Sequence, residues 1–167
     1  MRPFMLRLAK MIGRRDFDGA INYLRAGLKG DEADLASLEM IAHCQHWAGR
    51  HDEAIAACRE TLKLDPVSFE MHAMLAQIFA EKGEHDEAAE HARTGLESYP
   101  EPLPKVSRIV VLAFKALGRI APRLQGAAPD AALRRVEAMR AEWFDWAKQY
   151  LSWYDATYNG SVNPTKH

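Results

Sequence analysis

Cysteine is scarce in this sequence: only Cys44 and Cys58 occur among 167 residues. They form neither a CxxC pair nor a zinc-type spacing, which excludes a disulfide framework and leaves reduced, structural thiols as the expectation. Long apolar runs are lacking as well. The longest, Ile109 to Phe114, is far below the roughly 20 residues that cross a bilayer. Arg2, Arg7 and Lys10 interrupt the first apolar residues before a signal-peptide core can form. A cytoplasmic location is therefore expected. A P-loop, a GxSxG turn and an HExxH pair are all missing. Catalysis has no foothold, so a non-enzymatic protein without a cofactor is expected.

What is present is 48% hydrophobic and 27% charged residues, enough for one domain with a real core. The net charge is only −1, yet it is unevenly spread. Residues 1–30 hold 7 basic and 2 acidic residues, 31–102 hold 5 and 16, and 103–167 hold 10 and 5, giving +5, −11 and +5. The acidic middle suits a basic surface, supplied by a partner or by the ends of the same chain.

Between Leu35 and Pro100 the sequence repeats itself with a period of 34 residues. Ala42, Gly49, Asp52, Glu53, Ala54, Leu62 and Pro66 fall on Ala76, Gly83, Asp86, Glu87, Ala88, Leu96 and Pro100. A fixed period of this size predicts a solenoid of stacked supersecondary units. Small residues at the eighth and twentieth positions let two helices approach, glycine at the fifteenth suits a left-handed turn, and proline at the thirty-second stops the second helix. This pattern resembles the tetratricopeptide repeat (TPR) family. The resemblance implies an all-α, right-handed superhelical solenoid of about three helix-turn-helix repeats plus two C-terminal helices, and a protein–protein interaction role.

Taken as a single domain 1–167, the chain divides into a divergent first repeat (1–34), a second (35–68), a third (69–102), C-terminal capping helices (103–160) and a flexible tail (161–167). In the first repeat Arg15 stands where glycine is usual. Asp31, Asp34, Asp52 and Asp86 are placed as N-caps or first-turn acids. Residues 105–121 read as a helix in the place of a fourth repeat's first helix, and Asp130 opens a last helix to about Tyr158. That last helix carries two apolar stripes, one of Trp143, Trp146, Tyr150 and Trp153, the other of Phe144, Ala147, Leu151, Tyr154 and Tyr158. One stripe is expected to cap the solenoid, and the other to stay open for a partner or a homo-oligomer contact.

The family resemblance implies a concave groove lined by first helices. Carried over by position, the partner-binding residues are Glu39, Met40, His43, His46 and Trp47 from the second repeat, and Glu70, Met74, Gln77 and Glu81 from the third. Carboxylates, adaptable methionines and an aromatic anchor suit a partner with basic and apolar residues. The lysine, asparagine and arginine that grip a C-terminal carboxylate in some family members are replaced by Glu39, His43, Ala73 and Gln77, which argues against that role. Glu39, His43 and His46 also offer three zinc-type donors from one helix, but one helical face rarely closes a tetrahedral site, and no metal is expected. Neither nucleic acid nor a membrane is expected as partner.

Overall fold

The alternation of apolar stripes with turn residues folds as a run of antiparallel helical hairpins. The computed structural model describes residues 3–30, 34–99 and 129–159, and no strand occurs among them. Helices α1 (Pro3–Gly13) and α2 (Phe17–Arg25) form the first hairpin, α3 (Leu35–Trp47) and α4 (His51–Leu62) the second, α5 (Phe69–Lys82) and α6 (His85–Glu97) the third. A 26-residue helix, α7 (Pro129–Tyr154), follows and ends in a π-helical turn, Asp155–Asn159. The expected helix over 105–121, its proline-rich lead-in and the tail from Gly160 lie outside the described residues.

The period explains the packing inside each hairpin. Ala42 and Ala54 in the second hairpin, and Ala76 and Ala88 in the third, are buried without exposed area where the paired helices pack, so small side chains let the backbones come close. Gly49 and Gly83 make the intervening turns at φ 73° and 77°. Arg15 takes the same left-handed conformation, φ 60°, at the equivalent point of the first hairpin. A side chain there costs about 1 kcal/mol relative to glycine.

Capping follows the expectation only in part. Asp16 caps α2 by accepting a hydrogen bond from Gly19 N at 2.9 Å, and Asp52 and Asp86 sit in the first turns of α4 and α6. Asp34 precedes α3 but does not cap it. Its buried carboxylate turns back and accepts from the backbone N–H groups of Lys29, at 2.9 and 2.8 Å, and Gly30, at 2.5 Å. Those donors lie in the loop left without helical partners after α2, so the aspartate satisfies the loop instead of the helix. Asp31 lies outside the described residues.

Successive hairpins stack into one core that runs from Leu8 and Ile12 through Ile41, Met71 and Leu75 to Ala88. A second cluster, Phe69, Ala73, Ala76, Ala92, Trp143 and Ala147, joins the third hairpin to α7. Helix α7 packs on α6 in the way that α3 packs on α2 and α5 on α4. Arg140 donates to Glu70, and the Trp143 indole N–H donates to the Ala73 carbonyl at 3.2 Å, so α7 ascends beside α5 in the same direction. Among the described helices it is α7 that follows the third hairpin as a further first-type helix.

The buried side of α7 draws on both sequence stripes. Trp143 comes from one, Ala147 and Tyr154 from the other, and Phe144 and Leu151 are half-buried beside them. Residues spaced three and four apart on a 26-residue helix drift around its axis, so neither stripe alone stays against a neighbour that crosses at an angle. Gly95 permits the closest approach: a Cβ there would lie 2.7 Å from Trp143 Cη2.

Candidate functional site

The face shared by α3 and α5 holds most of the candidate residues. On α3, Glu39, His43, His46 and Trp47 are partly open, and on α5 Gln77 and Glu81 are exposed. Met40 and Met74 are not part of that surface. Met40 has no exposed area and Met74 keeps only 6%, and both belong to the central core, with the Cys58 Sγ 3.5 Å from the Met74 Sδ. The expectation that these methionines offer adaptable partner contacts is corrected: Met40 sits one position from the open Glu39, and one step of about 100° turns it inward.

Glu70 is occupied from within the molecule. The Arg140 guanidinium of α7, itself largely buried, is hydrogen-bonded to it, and Trp143 covers the neighbouring Ala73. Sequence reasoning misses Arg140; the one signal for it is a cation a turn before Trp143 on the inward side of an aromatic stripe. His51 is missed as well. It stacks beside His46, ring centroids 6.2 Å apart, and its Nε2 lies 3.7 Å from Glu81 Oε2.

Electrostatics divide the face. Burial pushes Glu39 up to about 7, and Glu70 and Asp65 raise it further while Arg140 opposes them. Burial, with His46 nearby, brings His43 down to about 4, so it is neutral at physiological pH. His43 stacks on Trp47 at 5.4 Å, and Trp47 in turn tilts against Phe17 at 6.4 Å, which fixes the indole as a wall. Burial lowers His46 too, and its Nδ1 is buried without a hydrogen-bond partner. Among the described residues no group of three or more His, Cys, Asp or Glu side chains is gathered to hold a metal ion. Glu39, His43 and His46 are therefore a polar line along one helix, not a chelate.

The stacking order is written in a second 34-residue series. Asp18 pairs with Arg50 at 2.6 Å and Asp52 with Lys82 at 2.8 Å, in each case reaching the next hairpin. Asp86 accepts from the Tyr154 hydroxyl of α7. The tetratricopeptide repeat family model matches residues 12–68 and again 48–101. The chain belongs to the tetratricopeptide repeat family. No curated protein matches the chain. TPR units are generally protein–protein interaction modules, and the candidate face lies on the first helices of two successive repeats.

The aromatic residues of α7 form a ladder at the edge of this TPR array. Trp146 stacks on Tyr150 at 5.1 Å, Tyr150 tilts on Trp153 at 5.4 Å, and His85 of α6 hydrogen-bonds the Tyr150 hydroxyl at 2.8 Å. Trp143 is buried, Trp146 and Tyr150 are half-buried, and Trp153 remains 45% exposed. No described helix is long and apolar enough to cross a membrane.

Proposed function

We propose that this TPR protein is a non-catalytic adaptor or assembly chaperone that holds a helix or extended segment of a partner protein against α3 and α5. The observation that carries this reading is the line Glu39, His43, His46 and Trp47, left partly open beside the exposed Gln77 and Glu81 while Met40 and Met74 are core. Helix-in-groove and extended-segment recognition both need such a row of spaced side chains on a rigid base. The internal Arg140–Glu70 contact confines the open part to Glu39, the His43–Trp47 wall and the Gln77–Glu81 end. A benzophenone photo-crosslinker placed at Gln77 is expected to capture the partner, and one placed at Lys148 on the outer side of α7 is not. Equal capture from both positions, or from neither, removes the reading.

Self-association through α7 is the second reading. Met139, Trp146 and Trp153 recur at intervals of seven residues, with Met139 40% and Trp153 45% exposed. A seven-residue apolar line is the pattern by which two helices pack side by side. Sedimentation equilibrium distinguishes the two: a monomer at high protein concentration removes this option.

A further inference from the structure

The open part of the face is more specific than a generic peptide groove, a conclusion that rests on its being an interaction surface. Glu39 has no hydrogen bond or ion pair among the described residues, although burial already disfavours its charged form. The charged groups that act on it are Glu70 on α5, Asp65 in the turn before α5, and Arg140 on α7, with the neutral His43 one turn along its own helix. Arg140 is the single cation in this set, and its guanidinium is engaged by Glu70. Glu39 thus meets two other carboxylates and a single guanidinium that is already bonded to Glu70.

A second, independent observation lies two helical turns away. The buried His46 Nδ1 lacks any partner, and buried polar atoms are normally satisfied. Glu81 and His51 stand beside it. Seven residues of helix separate Glu39 from His46, about 10 Å along the axis, and the His43–Trp47 stack fills the interval. That interval matches three residues of a chain in the polyproline II conformation, at about 3.1 Å each, whose three-residue turn brings the first and fourth side chains to the same face.

We infer that the face recognises a partner segment carrying two arginines three residues apart, one seated on Glu39 and the other at the His46–Glu81 end. A guanidinium supplies planar N–H donors for a carboxylate and stacks on aromatic faces, which the ammonium of lysine does less well. The neutral His43 ring and the Trp47 indole present such faces between the two anionic ends. Arginine beside Glu39 also favours the ionised carboxylate, so binding releases the proton that Glu39 holds part of the time near neutrality.

The test is calorimetry with the peptide acetyl-Ala-Arg-Ala-Ala-Arg-Ala-amide, its citrulline counterpart as the uncharged isostere, and the full-length protein. Measurement at pH 7 in buffers of different ionisation enthalpy counts the protons. The arginine peptide is expected to bind at least about ten-fold more tightly than the citrulline peptide. It should release about half a proton, since Glu39 titrates at about 7. Glu39→Gln should weaken binding by about ten-fold and abolish the release, whereas Glu90→Gln on exposed α6 surface should change neither. Unchanged affinity and proton release in Glu39→Gln, or equal binding of the citrulline peptide, overturns the inference. If the Gln77 crosslinker captures a partner while the arginine peptide fails to bind, the arginine specificity falls and the interaction reading survives.

Discussion

The Tyr154 hydroxyl donates to Asp86 in the same place that Arg50 and Lys82 occupy against Asp18 and Asp52. The aspartates recur every 34 residues, and each binds the unit that comes next in the stack. In the last of the three the cation has become a phenol, and the next unit is a single helix. Arg93 lies 5.5 Å over the Tyr154 ring and also bonds Asp155 at 2.8 Å, which ties the end of α7 to α6. Tyr154→Phe is expected to lower the melting temperature by about 3 °C, and protease cutting should rise first in α7. Loss of protection spread equally over α3 and α4 would contradict the local role.

Trp143 should be the main anchor of α7. It is buried, meets Phe69 edge-on at 4.8 Å and donates to the Ala73 carbonyl. Trp143→Ala should destabilise by about 3–5 kcal/mol, and Gly95→Ala by about 1–3 kcal/mol because its methyl would strike the indole. Chemical denaturation measures both, and near-ultraviolet circular dichroism should lose a tryptophan band in each.

Arg15 offers a gain. Its positive φ favours glycine, and the two equivalent turns already carry Gly49 and Gly83. Arg15→Gly should raise the unfolding free energy by about 1 kcal/mol, seen as a higher urea midpoint at unchanged slope. A lower midpoint would mean that the arginine side chain stabilises the turn by more than its backbone costs.

The pH dependence of stability contains two opposed contributions on α3. Glu39 is raised in the folded state, so its contribution is complete below about 4.5 and is lost as pH rises through about 7. His43 is lowered, so its contribution is present above about 6.5 and is lost as pH falls toward about 4. Each amounts to about 3 kcal/mol, and between pH 4.5 and 6.5 they largely cancel. Relative to wild type, Glu39→Gln should gain stability with rising pH across this window and His43→Gln should lose it. Parallel profiles for wild type and both variants would remove the assignment.

Cys44 and Cys58 should be unreactive. Burial pushes both thiols up to about 12, and the thiolate is the nucleophile. A thiol reagent at pH 8 should label neither in the folded protein and both in denaturant.

Much of the fold is legible in the chain because the 34-residue period fixes local geometry. Ala42, Ala54, Ala76 and Ala88 recur as small residues because two backbones meet there, and Gly49 and Gly83 mark the turns. The binding face is legible by position but not by direction. Counting repeat positions assigns Met40 and Met74 to it, whereas the rotation of each helix places them inside. Position also makes Glu70 available, while a residue 70 places further along the chain engages it.

The sequence alone determined the described helical hairpins and their stacking, because spacing, turn residues and small contact positions act over one or two turns of chain. Only the tertiary structure decided which carboxylate Arg140 bonds, since it reaches Glu70 across a separation that no periodicity records. It also decided that the final helix continues the stack, because drawing on both aromatic stripes depends on how α7 lies against α6 and on the close approach to Trp143 that Gly95 permits.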